Sequence, residues 1–175
     1  FCHCEREAEL TQYYGDSVNG SDANSGLTAL LPKQSLLAIQ VAASDGDSVS
    51  LANGNYLSTD GASGATSFVF TKALTIAGQS AFGAVLRSTI SGASSATVRV
   101  NYSGATGITF QDVVIDARNI QERAFTRTDA VTDPPVTFTR VWFKDWYQYG
   151  IVDTSTTTSA YVLTNCTATT DYIST

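Results

Sequence analysis

Three segments of the chain share one pattern of apolar and polar positions. Residues 108–115, 136–143 and 161–168 each run apolar, mostly Thr, apolar, polar, polar, apolar, variable, apolar. The same opening occurs earlier, in residues 74–78 and 49–53. Alternation of period two places side chains on opposite faces of a strand. It therefore sets Leu51, Ile76, Phe110, Phe138 and Leu163 on one face, as an inward ladder, and turns Gln111, Thr139 and Thr164 to solvent. The steps between ladder positions are unequal, as in a stack whose strands must superpose while the connecting loops vary. After Asp112, Arg140 and Asn165 the next apolar residue comes one place late, so a bend between two strands is expected there.

Further short strands are expected at residues 68–70, 97–100 and 150–152, with turns at 58–64, 91–95 and 154–159. The pattern predicts an all-β, right-handed parallel β-helix of about five rungs. An antiparallel sandwich would also show short, regularly spaced strands, but not one pattern repeated in register. Residues 32–43 form the one helix candidate, with Pro32 in its first turn, Leu36, Leu37 and residues 39–41 as apolar surface, and Asp45-Gly46-Asp47 as its stop. Placed before the first rung, this helix would act as an N-terminal cap over an edge that otherwise recruits other chains. Residues 1–12 read as an arm and 13–175 as one domain, with a lead-in strand and capping helix in 13–48 and rungs in 49–175.

With that order in view, the chain resembles the pectin-lyase-like superfamily of right-handed parallel β-helices, in secreted or phage-borne forms. Residues 13–26, Pro32 with the helix through Ala43, residues 45–56 with their Asp-Gly-Asp and Asn-Tyr turns, and residues 72–78 carry the resemblance. It covers roughly residues 13 to 170. The resemblance implies a fold, and one fold hosts many unrelated sites. Members that cleave polysaccharides use clustered Asp residues, or acidic Ca²⁺ ligands with a basic proton acceptor. The paired-Asp and Gly-His-Gly signatures of polygalacturonases are absent from this sequence, and its one histidine, His3, lies outside the solenoid.

Composition narrows the functions further. The 175 residues carry a formal charge of −6 without a basic patch, so nucleic acid is not an expected partner. Arg118, Arg123 and Arg127 read as a solvated loop. No apolar run approaches the ~20 residues that span a bilayer, and membrane insertion is not expected. The chain opens on Phe1 and ends soon after its last ladder. It is therefore read as processed or cut from something longer, or as docking its last rung on a neighbouring subunit.

Several groups are candidates for chemistry or contact. Asp112 and Asp116 in one rung, with Arg140, Lys144, Asp145 and Asp153 in the next, are the nearest approach to an acidic constellation. Asp112 and Arg140 share a column, and a cross-rung ion pair is the preferred reading. Trp142, Trp146, Tyr147 and Tyr149, beside Arg140 and Lys144, form the densest aromatic group. Trp142 alternates with inward Phe143, so its ring should stack on a sugar or on another subunit; a satellite cluster beneath the loop before Gly150 is the competing reading.

Asp16, Asn19, Asp22 and Asn24 have the oxygen-rich spacing of a Ca²⁺ loop and equally that of Asx turns, which are preferred. No other cofactor is expected. Cys2-His3-Cys4 is too compact for a zinc site, so Cys2 and Cys4 become candidates for a disulfide to a neighbouring chain, while Cys166 falls in the inward column of Val113 and Val141 and reads as a buried core thiol. The expectation is a non-catalytic structural or adhesive module of an extracellular appendage, cell surface or virion, such as a tail spike, fibre or filament subunit. It would be a homo-oligomer, as an end-to-end stack or a trimer, with surface polysaccharide as a ligand. The alternative is the N-terminal part of a polysaccharide lyase or glycoside hydrolase.

Overall fold

The computed structural model describes residues 10–60, 67–90, 92–101, 107–127, 135–153 and 161–170. Among them the backbone forms fifteen strands and one helix, arranged as a β-solenoid of three parallel sheets. The first sheet holds β1 (Gln12–Gly15), β2 (Ser48–Leu51), β5 (Thr75–Gly78), β8 (Ile108–Gln111), β11 (Val136–Thr139) and β14 (Tyr161–Thr164). The second holds β3 (Gly54–Leu57), β6 (Ala84–Arg87), β9 (Val113–Asp116), β12 (Trp142–Lys144) and β15 (Thr167–Thr169). The third holds β4 (Phe68–Phe70), β7 (Gly92–Val100), β10 (Gln121–Arg127) and β13 (Tyr149–Asp153). From β2 onward the chain visits the three sheets in turn, and every pairing between strands is parallel.

The repeat appears as register. Ile76 pairs with Phe110, Phe110 with Phe138 and Phe138 with Leu163. Phe110 and Phe138 stack at 5.6 Å, while Phe70 meets Phe110 edge-on at 5.3 Å and Phe125 meets Phe138 edge-on at 5.0 Å. Each fully buried Phe contributes roughly 1.5–3 kcal/mol by leaving water, so this aromatic column is the main apolar core. The first member of the ladder is corrected by two residues: Val49, not Leu51, pairs with Ile76, and Leu51 pairs with Gly78. Leu51 keeps its inward face and its burial, because a slip of two residues preserves the side of the sheet.

The late apolar residue is a bend, as expected. Asp112, Arg140 and Asn165 have φ of 57°, 50° and 53°, and this left-handed residue turns the chain from the first sheet into the second. Between β5 and β6 the left-handed residue is Phe82, with φ 61°, and Gly78 ends β5 where a Cβ would collide with the carbonyl oxygen of Asp112. Tyr56 closes the first corner by donating to the carbonyls of Gly15 (2.9 Å) and Ala52 (3.1 Å), and its burial holds the phenol well above its ordinary pKa.

Helix α1 spans Leu36–Ala42, shorter than the 32–43 expected. Ser35 is its N-cap, accepting from the Ala38 amide at 3.1 Å, so Pro32 lies before the helix and not in its first turn. Leu36 and Ile39 enter the core, and the helix packs against β1 and β4. The Asp-Gly-Asp turn follows: Gly46 has φ 91°, Asp45 accepts from the Ala73 amide, and Asp47 accepts from Thr11 and Ser44. Thr11 and Gln12, assigned to the arm, therefore belong to the fold.

Two further expectations are corrected. Gly92 to Ser95, read as turn, lie in β7, where a register irregularity between β7 and β10 absorbs the extra residues. The arginines read as a solvated loop are largely in strand β10. Arg127 is 0% exposed, bonds Asp153 at 2.8 Å and lies 4.8 Å from the ring centroid of Tyr161. A buried guanidinium persists when ion pairing and an aromatic face replace its hydration, which the sequence pattern alone does not reveal. Arg118 stands in the turn before that strand, with φ 55° and its amide bonded to Asp116.

Candidate functional site

The outward side of the second sheet collects most of the candidate chemistry. Its outward columns are Asn55, Val85, Val114, Trp142 and Thr167, and beside them Leu57, Arg87, Asp116, Lys144 and Thr169. Trp142 points outward, as its alternation with buried Phe143 requires. Its indole Nε1 donates to Thr169 Oγ1 at 2.8 Å, which fixes the ring's orientation. Phe82, in the turn between β5 and β6, meets Trp142 edge-on at 6.2 Å. Val114 faces outward in the same column as Trp142, yet it is buried.

Ion pairs border this strip on both sides. At one edge Arg140 grips Asp112 through two bonds of 2.6 Å, with Gln111 donating to the same carboxylate at 3.0 Å. The hydrogen bond from Arg140 is the main cause that holds Asp112 below the ordinary carboxylate range, against the opposing effect of burial; the same bond raises the pKa of Arg140. At the other edge Arg87 bonds Asp116 at 2.8 Å, and Lys144 bonds Asp145 at 2.8 Å while lying 5.9 Å from the Trp142 ring centroid. The cross-rung pair read from the shared column of Asp112 and Arg140 is thus present.

The aromatic group does not stay together. Trp142 joins Arg140 and Lys144 on the outward face, whereas Trp146 packs against the core with its ring over Gly150. The satellite reading therefore describes Trp146. Tyr147 and Gln148 hand their amides to the carbonyls of Gln121 and Glu122, which leads Tyr149 into the third sheet, opposite Arg123. Phe82 was missed by the sequence reading. Its only signal was an aromatic residue set between Ala81 and Gly83 in a turn.

The oxygen-rich loop is organised by its own donors. Asp16 accepts from the amides of Val18 and Asn19, each at 2.9 Å, and from the Asn19 side chain at 3.1 Å. The Asn19 amide is the largest cause of its lowered pKa. Asp22 accepts from the amides of Gln34 (3.0 Å) and Ser35 (2.7 Å) and from the Ser35 hydroxyl (2.7 Å). Asn24 donates to the Pro32 carbonyl at 2.9 Å. The ammonium of Lys33 bonds the carbonyls of Asp22 and Asn24 at 3.1 and 2.8 Å. The four residues thus serve two separate turns joined by Lys33.

Cys166 is half-buried and not enclosed, its Sγ 3.5 Å from the Phe138 carbonyl oxygen. It lines an open apolar cleft with Phe143, Trp146, Ile151 and Leu163. Cys2, Cys4 and His3 lie outside the described residues. Among the described residues no helix is long and apolar enough to cross a membrane.

Compared with protein-family models, curated proteins and solved structures, the chain matches none.

Proposed function

We propose that the chain is a non-catalytic structural or adhesive β-helical module of an extracellular appendage, cell surface or phage particle, and that the outward face around Trp142 is its contact surface for polysaccharide. The observation that carries this reading is the engagement of the carboxylates on that face. Asp112, Asp116 and Asp145 each hold a cation. Glycoside hydrolysis needs one carboxyl to protonate the leaving group and another to attack or activate water across the bond. Each of these carboxylates is committed to its cation, and at Asp112 the bonded guanidinium lowers the pKa and so disfavours the protonated form that a leaving group would need. A flat outward indole offers apolar area and a fixed orientation suited to a sugar ring.

In the same reading the solenoid is right-handed, as parallel crossovers overwhelmingly are, with about five rungs, and α1 with its preceding loop closes the first one. The resemblance to the pectin-lyase-like superfamily, stated on residues 13–78, supports that arrangement. The module assembles as a homo-oligomer, through its last strands or as a trimer. The second reading, part of a polysaccharide lyase or glycoside hydrolase, is separated by incubation with acidic polysaccharides. The structural reading expects no new absorbance from unsaturated products and no new reducing ends; either signal from the purified chain overturns it.

A further inference from the structure

We infer that the outward face takes an uncharged glycan, stacked against the Phe82–Trp142 pair, and not a uronate polymer. The inference rests on the glycan-contact reading above and adds its ligand class and the residue that builds the platform.

Phe82 has φ 61°. Of the seven non-glycine residues with positive φ among those described, it alone carries an apolar side chain; the others are Asp, Asn and Arg. The left-handed region costs an ordinary side chain roughly 1–2 kcal/mol, and bulky residues are rare there. Partial burial, with Phe82 38% exposed, and the edge-on contact with Trp142 offset roughly that cost and leave little net gain. The turn is nonetheless held in place: the Phe82 amide donates to the Asp112 carbonyl at 3.1 Å, and Ser80 bonds Asn53 at 2.6 Å. A strained, half-exposed aromatic set edge-on to an outward tryptophan contributes little to folding. Such an outlier points to a contact role.

Charge selects the ligand. The three cations around the platform, Arg87, Arg140 and Lys144, are each bonded to a carboxylate of the chain. An anionic polymer would have to compete with those carboxylates and approach a protein of net charge −6. An uncharged sugar meets neither obstacle: its C–H face lies on one ring while the other, at 81° to it, borders the sugar's edge, and its hydroxyls reach the paired charges at the rim.

The test uses the whole 175-residue chain, titrated with a soluble neutral glucan, a neutral galactomannan and polygalacturonate, at low and high salt, with tryptophan fluorescence and retardation in polymer-containing gels as readouts. A neutral polymer is expected to bind with an affinity that salt leaves unchanged. Phe82→Gly should weaken it about tenfold while the melting temperature holds or rises, because glycine relieves the positive φ. Phe82→Asn, which also tolerates that region, repeats the test should the glycine variant fold poorly. Polygalacturonate binding that fades with salt would overturn the uncharged class and leave the glycan-contact reading standing. Retention of none of the three polymers would overturn both, and wild-type affinity in folded Phe82 variants would remove Phe82 from the platform.

Discussion

The outermost strands of the solenoid differ in their surroundings among the described residues. At the first edge, the outer side of β1 is occupied: the Tyr14 amide donates to the Gly26 carbonyl at 2.7 Å, the Tyr14 carbonyl accepts from Lys33 at 2.9 Å, and the Asp16 amide donates to Lys33 at 2.9 Å. At the other edge, β13, β14 and β15 each end their sheet, and among the described residues no strand pairs with their far side. The side chains follow the backbone. Phe138 and Leu163 are partners in one column, yet Phe138 is 0% exposed and Leu163 is 51% exposed. A rung's stability is thus set by having neighbours on both sides as much as by its own residues.

Substitutions along this axis should sort by position. The largest effect belongs to Phe138→Ala, which empties a site contacted by Phe110, Phe125 and Phe143; a loss of about 3–5 kcal/mol in urea unfolding is expected. A loss under ~1 kcal/mol would mean that the column is not packed as described.

Next comes the closed edge. Asp22→Ala strips acceptors from two amides and the hydroxyl of the helix N-cap, and about 1–2 kcal/mol should go with them. Leu163→Ala, in the same column as Phe138 but at the open edge, should cost less than ~1 kcal/mol. A cost matching that of Phe138→Ala would show that something covers Leu163 in solution.

The smallest effect is acid. Asp16 near the closed edge and Asp112 in the middle both have lowered pKa values. Such groups contribute stability that is present above the unfolded carboxylate pKa of about 3.9 and lost as pH falls through the folded value. The unfolding midpoint should therefore drop on acidification below roughly pH 4, and Asp16→Asn with Asp112→Asn should flatten that drop. A midpoint of the double variant that follows the wild type through acid would contradict the assignment.

Much of the fold was legible because parallel stacking repeats one strand pattern. Residues 108–115, 136–143 and 161–168 align by inspection, and their register in the sheets is the one that inspection gives. The slip at Leu51 has a physical cause. Val49 and Leu51 are both inward and apolar, as are Leu74 and Ile76, so a shift of two leaves the pattern unchanged. Arg127 was illegible for another reason: its burial depends on Asp153 and Tyr161, which only the fold brings near it.

At the helix two local signals competed. Pro32 marked a start, but Ser35, with its side chain on the Ala38 amide, is where the helix begins. In the candidate site, Trp142, Arg140 and Lys144 were readable from alternation and column. Phe82 was not, since no propensity predicts a phenylalanine at positive φ.

The most direct test of the stacked column is a set of nuclear Overhauser contacts in the isotopically labelled chain. The Ile76 methyls should contact the Phe110 ring, and the Phe110 ring should contact that of Phe138, whose centroid lies 5.6 Å away. Cross-strand contacts showing Val136–Thr139 antiparallel to Ile108–Gln111, or no contact between the Phe110 and Phe138 rings, would contradict the parallel solenoid itself.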